Sequence, residues 1–207
     1  MELTYALYDG MTLLDFAGPN EVLSHLPGMN LHYAAAEAGP VTTDTGLQLG
    51  AQESFAEITA TDVLVVPGGT KTQDYIGDTP IVRFIRRIHP TTTWTTSVCT
   101  GSLLLASAGV LDGLTATTHW SAMDALAQLG ATPTSQRVVR HEGIMTGAGV
   151  SAGIDMALTL LAELLGEDMA KAIQLGIEYD PQPPFDSGAP HKASEQVRSL
   201  AESSLGG

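Results

Sequence analysis

Cysteine is almost missing from this chain: its 207 residues contain one, at position 99. A single thiol forms no internal disulfide and supplies no cysteine-rich zinc site. Basic residues are scarce as well. Nine Lys and Arg stand against 23 Asp and Glu, a formal charge of −14, which repels phosphate backbones and anionic membranes and makes nucleic acid and membrane poor partners. None of the six histidines is spaced from another as a metal-ligand pair, so no metal is expected. The run Met156 to Leu165 is interrupted by Glu163 and is far short of a membrane span, so it reads as a buried helix. Glu2 and Asp9 stand where a secretory leader would have a basic start and an apolar run. With one unpaired thiol, that points to a reducing, cytoplasmic setting.

Hydrophobic residues make up 43% of the chain, enough for a large core. The length fits one α/β domain over residues 1–207. Leu3 to Leu7 alternates as a strand and Asp9-Gly10 turns it. Gly18-Pro19 predicts a helix start, with the helix running through Leu26 to a stop at Pro27-Gly28. Leu31 to Ala36 predicts a second strand, and Val41 to Ser54 a hairpin or edge strands. Asp62 to Val66, stopped by Pro67-Gly68-Gly69, reads as a strand buried on both faces of a parallel sheet.

Ile81 to Ile88 has helical spacing. Thr93 to Val98 is β-branched and aromatic, and Cys99-Thr100-Gly101-Ser102 leads straight from it into an apolar helix. Thr115 to Thr118 predicts a strand, Ser121 to Leu129 a helix and Arg137 to Met145 one or two strands. Helices over about Val150 to Leu165 and Glu167 to Ile177 follow, then a short helical segment from Ser194 to Leu205. Strands alternating with helices imply a mostly parallel central sheet covered on both faces.

In such sheets sites form at the carboxyl ends of strands, where Asp15, Gly68-Gly69 and Cys99 fall. Cys99 stands at a strand-to-helix junction, where a helix N-terminus favours thiolate over thiol and so should lower the pKa. Gly101 and Ser102 permit the tight turn of a nucleophile elbow. Asp15, among Leu13, Leu14 and Phe16, is a carboxyl in apolar surroundings; desolvation would raise its pKa and let it carry a proton beside a thiolate, and capping a helix is its other reading. Gly68 and Gly69 can bring backbone N–H groups to an anion together with that of Thr100, or can simply end the strand. The Thr100 hydroxyl can orient Asp15 or a water, or belong only to the helix's first turn. His119 can border the same site or serve as a hydrogen-bonded structural residue. Gly147-Ala-Gly149-Val-Ser-Ala152 has the letters of a dinucleotide fingerprint, but no strand follows to deliver the acidic residue that grips ribose, so close packing accounts for it better.

Val65-Val66-Pro67-Gly68-Gly69 and Ser97-Val98-Cys99-Thr100-Gly101 resemble the hallmarks of the DJ-1/PfpI superfamily. Within it the chain resembles isonitrile hydratases, through Asp15 in Leu13-Leu14-Asp15-Phe16-Ala17-Gly18-Pro19, Thr100 after the cysteine, and the tail Glu178 to Gly188. The resemblance implies a flavodoxin-like α/β sandwich, a homodimer, an isonitrile substrate and no cofactor. It also implies catalysis by Cys99, Asp15 and Thr100 with Gly68 and Gly69 lining the site, while His119 joins them as a candidate from its place after Thr117-Thr118. Two other functions share these motifs: glyoxalase or deglycase-like action on small dicarbonyls, and the ligand-sensing domain of AraC-type regulators.

Overall fold

The computed structural model describes residues 1–26 and 28–205. Its first strand, β1 (Glu2–Ala6), leads into helix α1 (Leu13–Leu23). Then come β2 (Asn30–Ala35), the antiparallel hairpin β3 (Gly39–Thr42) and β4 (Gln48–Ala51), the short β5 (Glu53–Ser54) and β6 (Val63–Val66). A 3-10 turn over Thr72–Tyr75 precedes α2 (Pro80–Ile88), β7 (Trp94–Val98) and α3 (Gly101–Ser107). β8 (Thr115–Ala116), α4 (Met123–Gln128), β9 (Thr132–Pro133), β10 (Val138–His141) and β11 (Ile144–Gly147) follow. The last helices are α5 (Ala152–Leu165), α6 (Glu167–Gly176) and α7 (Glu195–Leu205).

Seven strands form one sheet in the order β10-β11-β7-β6-β1-β2-β5, parallel except for the antiparallel β10–β11 pair. Every residue of β6 is buried, as its unbroken Val-Leu-Val-Val run requires of a central strand with helices above and below. The connection from β1 to β2 runs one way along the sheet and that from β6 to β7 runs the other way. Right-handed crossovers therefore place α1 and α2 on opposite faces. α1 packs on α5 and α5 on α6, while α2 packs on α3 and α3 on α4. The result is the α/β sandwich expected from the alternation of elements.

Two expectations change. α1 begins at Leu13, before Gly18-Pro19, so Pro19 lies inside the helix and Asp15 sits in its first turn rather than in a loop. An internal proline removes one helical N–H and disfavours the helix, but its ring packs here against α5, where a Cβ on Gly153 would stand 3.1 Å from Pro19 Cγ and Cδ. Tertiary packing thus holds what local propensity opposes. The helix ends at Leu23; Pro27, half of the expected stop, lies outside the described residues. The second change concerns Thr115 to Thr118: only Thr115–Ala116 is strand, and it pairs with β9 in a separate two-stranded sheet.

Candidate active site

Parallel register sets the site. Val66 lies beside Ser97 and Gly147 beside Val98, so the chain leaves β6, β7 and β11 at three neighbouring points along one sheet edge. The loop after β1 joins them through a bridge between Met11 and Gly69.

Cys99 occupies the turn between β7 and α3 with φ of +57°, a left-handed conformation that costs an L-residue about 1–2 kcal/mol. The surroundings hold it there from both sides. Its N–H donates to the carbonyls of Gly147 and Ala148 at 3.0 and 2.9 Å. Its own carbonyl accepts from the Ser102 and Thr118 hydroxyls, each at 3.1 Å. The elbow is built, and its side chain is only 5% exposed.

Asp15 is fully buried. Its Oδ2 accepts the Gly68 N–H at 2.9 Å, while its buried Oδ1 has no partner of good hydrogen-bond geometry. The Cys99 thiol is close enough for the two acids to act on each other's ionisation, a contact looser than a regular hydrogen bond. Burial pushes the Asp15 carboxyl up to about 7, against the pull of the Gly68 amide and the thiol. Burial, and then the Asp15 charge, push the Cys99 thiol up to about 12. That direction is opposite to the one read from the helix N-terminus. The N–H groups of Val150 and Thr100 do favour the thiolate, but desolvation beside a carboxylate outweighs them.

Gly68 and Gly69 are required by close approach. A Cβ on Gly68 would stand 2.5 Å from the Thr100 backbone nitrogen, and one on Gly69 2.5 Å from Met11 Cα. Their amides, however, are already engaged: that of Gly68 by Asp15, and that of Gly69 by Thr100 Oγ1 at 2.9 Å. The donors facing the sulfur are instead Thr100 and Val150. The Thr100 hydroxyl faces Gly69 and Thr72 Oγ1, the latter at 2.7 Å, and Thr72 in turn meets the Tyr8 hydroxyl at 2.8 Å. Thr100 therefore braces the loop after β6 and makes no hydrogen bond to Asp15.

His119 is half-buried, with Nδ1 2.7 Å from Ser121 Oγ. Its ring lies against Gly149, where a Cβ would stand 2.6 Å from His119 Cδ2, one residue from the amide of Val150. Burial lowers its pKa, which keeps the ring neutral near pH 7. Gly147, the other glycine of the fingerprint-like stretch, leaves room for Met156, as close packing requires. Among the described residues no three His, Cys, Asp or Glu side chains are grouped to hold a metal.

Sequence reasoning missed Val150, Thr72, Tyr8 and Asp44. Asp44, in the β3–β4 turn, accepts from Thr12 Oγ1 at 2.6 Å and adds a charge that helps raise Asp15. These residues reach the site only through tertiary folding, and no motif marks them.

The chain is 44% identical over 197 residues to isonitrile hydratase of Pseudomonas putida, covering 95% of this chain and 86% of that protein. It is 30% identical over 177 residues to the HTH-type transcriptional regulator CdhR of Pseudomonas aeruginosa, covering 80% of this chain and 51% of the regulator. The crystal structure of a ThiJ/PfpI family protein from Pseudomonas syringae superposes with a TM-score of 0.92 at 38% identity, covering 99% of this chain and 87% of that one. The DJ-1/PfpI family model matches residues 3–163. With that match spanning the sheet strands from β1 to β11 and both site motifs, the chain belongs to the DJ-1/PfpI family.

Proposed function

We propose that this protein is a cofactor-independent isonitrile hydratase. The observation that carries the reading is its 44% identity to the Pseudomonas putida enzyme along 95% of its length, joined to a buried Cys99 with a proton-carrying carboxyl beside it. Charge repulsion opposes ionising both acids, so the nucleophile forms by transfer of the thiol proton to Asp15. The amides of Thr100 and Val150 steady the sulfur as it becomes charged.

The thiolate bonds to the terminal carbon of R–N≡C, and the proton held by Asp15 moves to that carbon, giving the thioimidate R–N=CH–S–Cys99. Water adds to the same carbon as Asp15 takes up one of its protons and the nitrogen gains another. The C–S bond then breaks, releasing R–NH–CHO, and the thiol recovers its proton. The net change is isonitrile plus water to N-substituted formamide. His119 borders the substrate space as a neutral group, and Gly68 and Gly69 shape it by letting the loops meet.

The protein works as a homodimer in this reading, with Leu175 and Phe185, 80% and 78% exposed, contributing apolar surface to the partner. The setting is cytoplasmic; no helix among the described residues is long and apolar enough to cross a membrane.

Formamide production from tert-butyl isonitrile, measured beside turnover of methylglyoxal, tests the function. Formamide should form, and the Cys99→Ala protein should lose at least a thousandfold in rate. Full activity in that variant, or preference for the dicarbonyl, overturns the assignment.

A further inference from the structure

A cleft of about 270 Å³ opens at the carboxyl ends of β1 and β2, and none of Asp15, Gly68, Cys99 or Thr100 lines it. The connections leaving β1 and β6 run in opposite directions along the sheet, and the cleft lies on the β2 side of that reversal, bordered by Ala35 and Glu37. The cleft is walled by residues that follow β1 and by Tyr75 and Ile81, which come after β6.

The wall has two chemical characters. Its body is aromatic and aliphatic: the Tyr8 and Tyr75 rings meet at 4.7 Å between centroids, with Phe55 and Ile81 beside them. Its charged members are both acidic, Asp9 and Glu37. Among the described residues no Lys, Arg or His lies within ion-pair distance of either carboxylate. Lys71, the basic residue packed nearby, lays its stem across Gly10. Asp9 is held in place by the Thr42 N–H, 2.7 Å from its Oδ1. Tyrosine faces attract cations, and an uncompensated acidic rim on a molecule of charge −14 repels anions.

We propose that this cleft is a second small-molecule site, distinct from the Cys99 centre, which takes a compact organic monocation: an ammonium or quaternary ammonium group on an apolar body. The apolar part sits among Tyr8, Phe55 and Tyr75, and the charge faces Asp9 and Glu37. Tyr8 divides the two sites. Its ring lines the cleft, and its hydroxyl donates to the Pro67 carbonyl at 3.2 Å on the side of the Cys99 loops.

Titration calorimetry on the full chain with benzyltrimethylammonium chloride tests the assignment, with phenylacetate as an anion of similar size. The cation should bind saturably with one-to-one stoichiometry, and equally well to Cys99→Ala. Binding should weaken at least fivefold in the Asp9→Asn/Glu37→Gln protein. That pair keeps the acceptor for Thr42 and changes only charge. Absence of saturable binding, an unchanged affinity in the double variant, or phenylacetate binding as tightly as the cation overturns the proposal. Loss of binding in Cys99→Ala also overturns it, by placing the cation at the other centre.

Discussion

Asp15 and Cys99 are buried acids in contact, so removing a proton from one raises the cost of removing the other's. Near neutrality the pair carries a single negative charge, formed as pH passes about 7 and not doubled until about 12. In the proposed reaction, the form that attacks an isonitrile is the singly charged one with the proton on Asp15. A plot of kcat/KM against pH should therefore rise through an inflection near 7 and stay level well into alkaline solution. Asp15→Asn should remove that inflection and lower the rate at least a hundredfold. Without the neighbouring charge, its thiol should also ionise at lower pH than in the parent, as thiolate ultraviolet absorbance will report.

The same carboxyl carries a stability cost of definite sign. Its folded pKa stands above the ordinary 3.8, at about 7, so its contribution is fully present below 3.8 and is lost as pH rises through 7. At about 1.4 kcal/mol per unit the loss is on the order of 4 kcal/mol. Denaturant unfolding should find Asp15→Asn more stable than the parent above pH 7, with the gap closing as pH falls.

Among the elements, α3 is the most constrained at its start. A Cβ on Gly101 would overlap the Val66 carbonyl oxygen and stand 2.9 Å from the carbonyl carbon of Pro67; both are backbone, and β6 is fully buried. Gly101→Ala should cost about 3 kcal/mol, a drop in Tm of roughly 6–12 °C for a chain of this size. Gly188→Ala, where a Cβ meets nothing within 4 Å, should stay within about 0.5 kcal/mol. The constraint also explains what could be read in advance. β6, β7 and α5 announce themselves because apolar runs and strand-to-helix junctions are written in neighbouring residues. The start of α1 does not, since Gly18-Pro19 is local punctuation that Gly153, more than a hundred residues away, overrides. Cys99 was legible in its strand-to-helix pattern, whereas Asp15, whose local sequence reads equally as a helix cap, was singled out through the family resemblance. Val150, Thr72 and Tyr8 were not legible, because only the sheet register and the crossing loops bring them in. The direction of the Cys99 shift was misread for a related reason: a helix N-terminus can be seen in sequence, but the depth at which it is buried cannot.

At the scale of the whole molecule, a seven-stranded sheet gathers the site at one edge while the tail leaves large apolar side chains in solvent. Light scattering on the purified protein should give twice the chain mass, and Phe185→Asp should shift the population toward monomer while leaving the far-ultraviolet dichroism of the subunit unchanged. The bond from Gly68 to Asp15 ties the end of a central strand to the ionising group. An amide donating to a carboxyl changes its electronic shielding when that carboxyl gains or loses charge. One backbone cross-peak in a nitrogen–proton correlation spectrum, that of Gly68, is thus an internal gauge of the Asp15 proton, readable in the resting protein without substrate or dye.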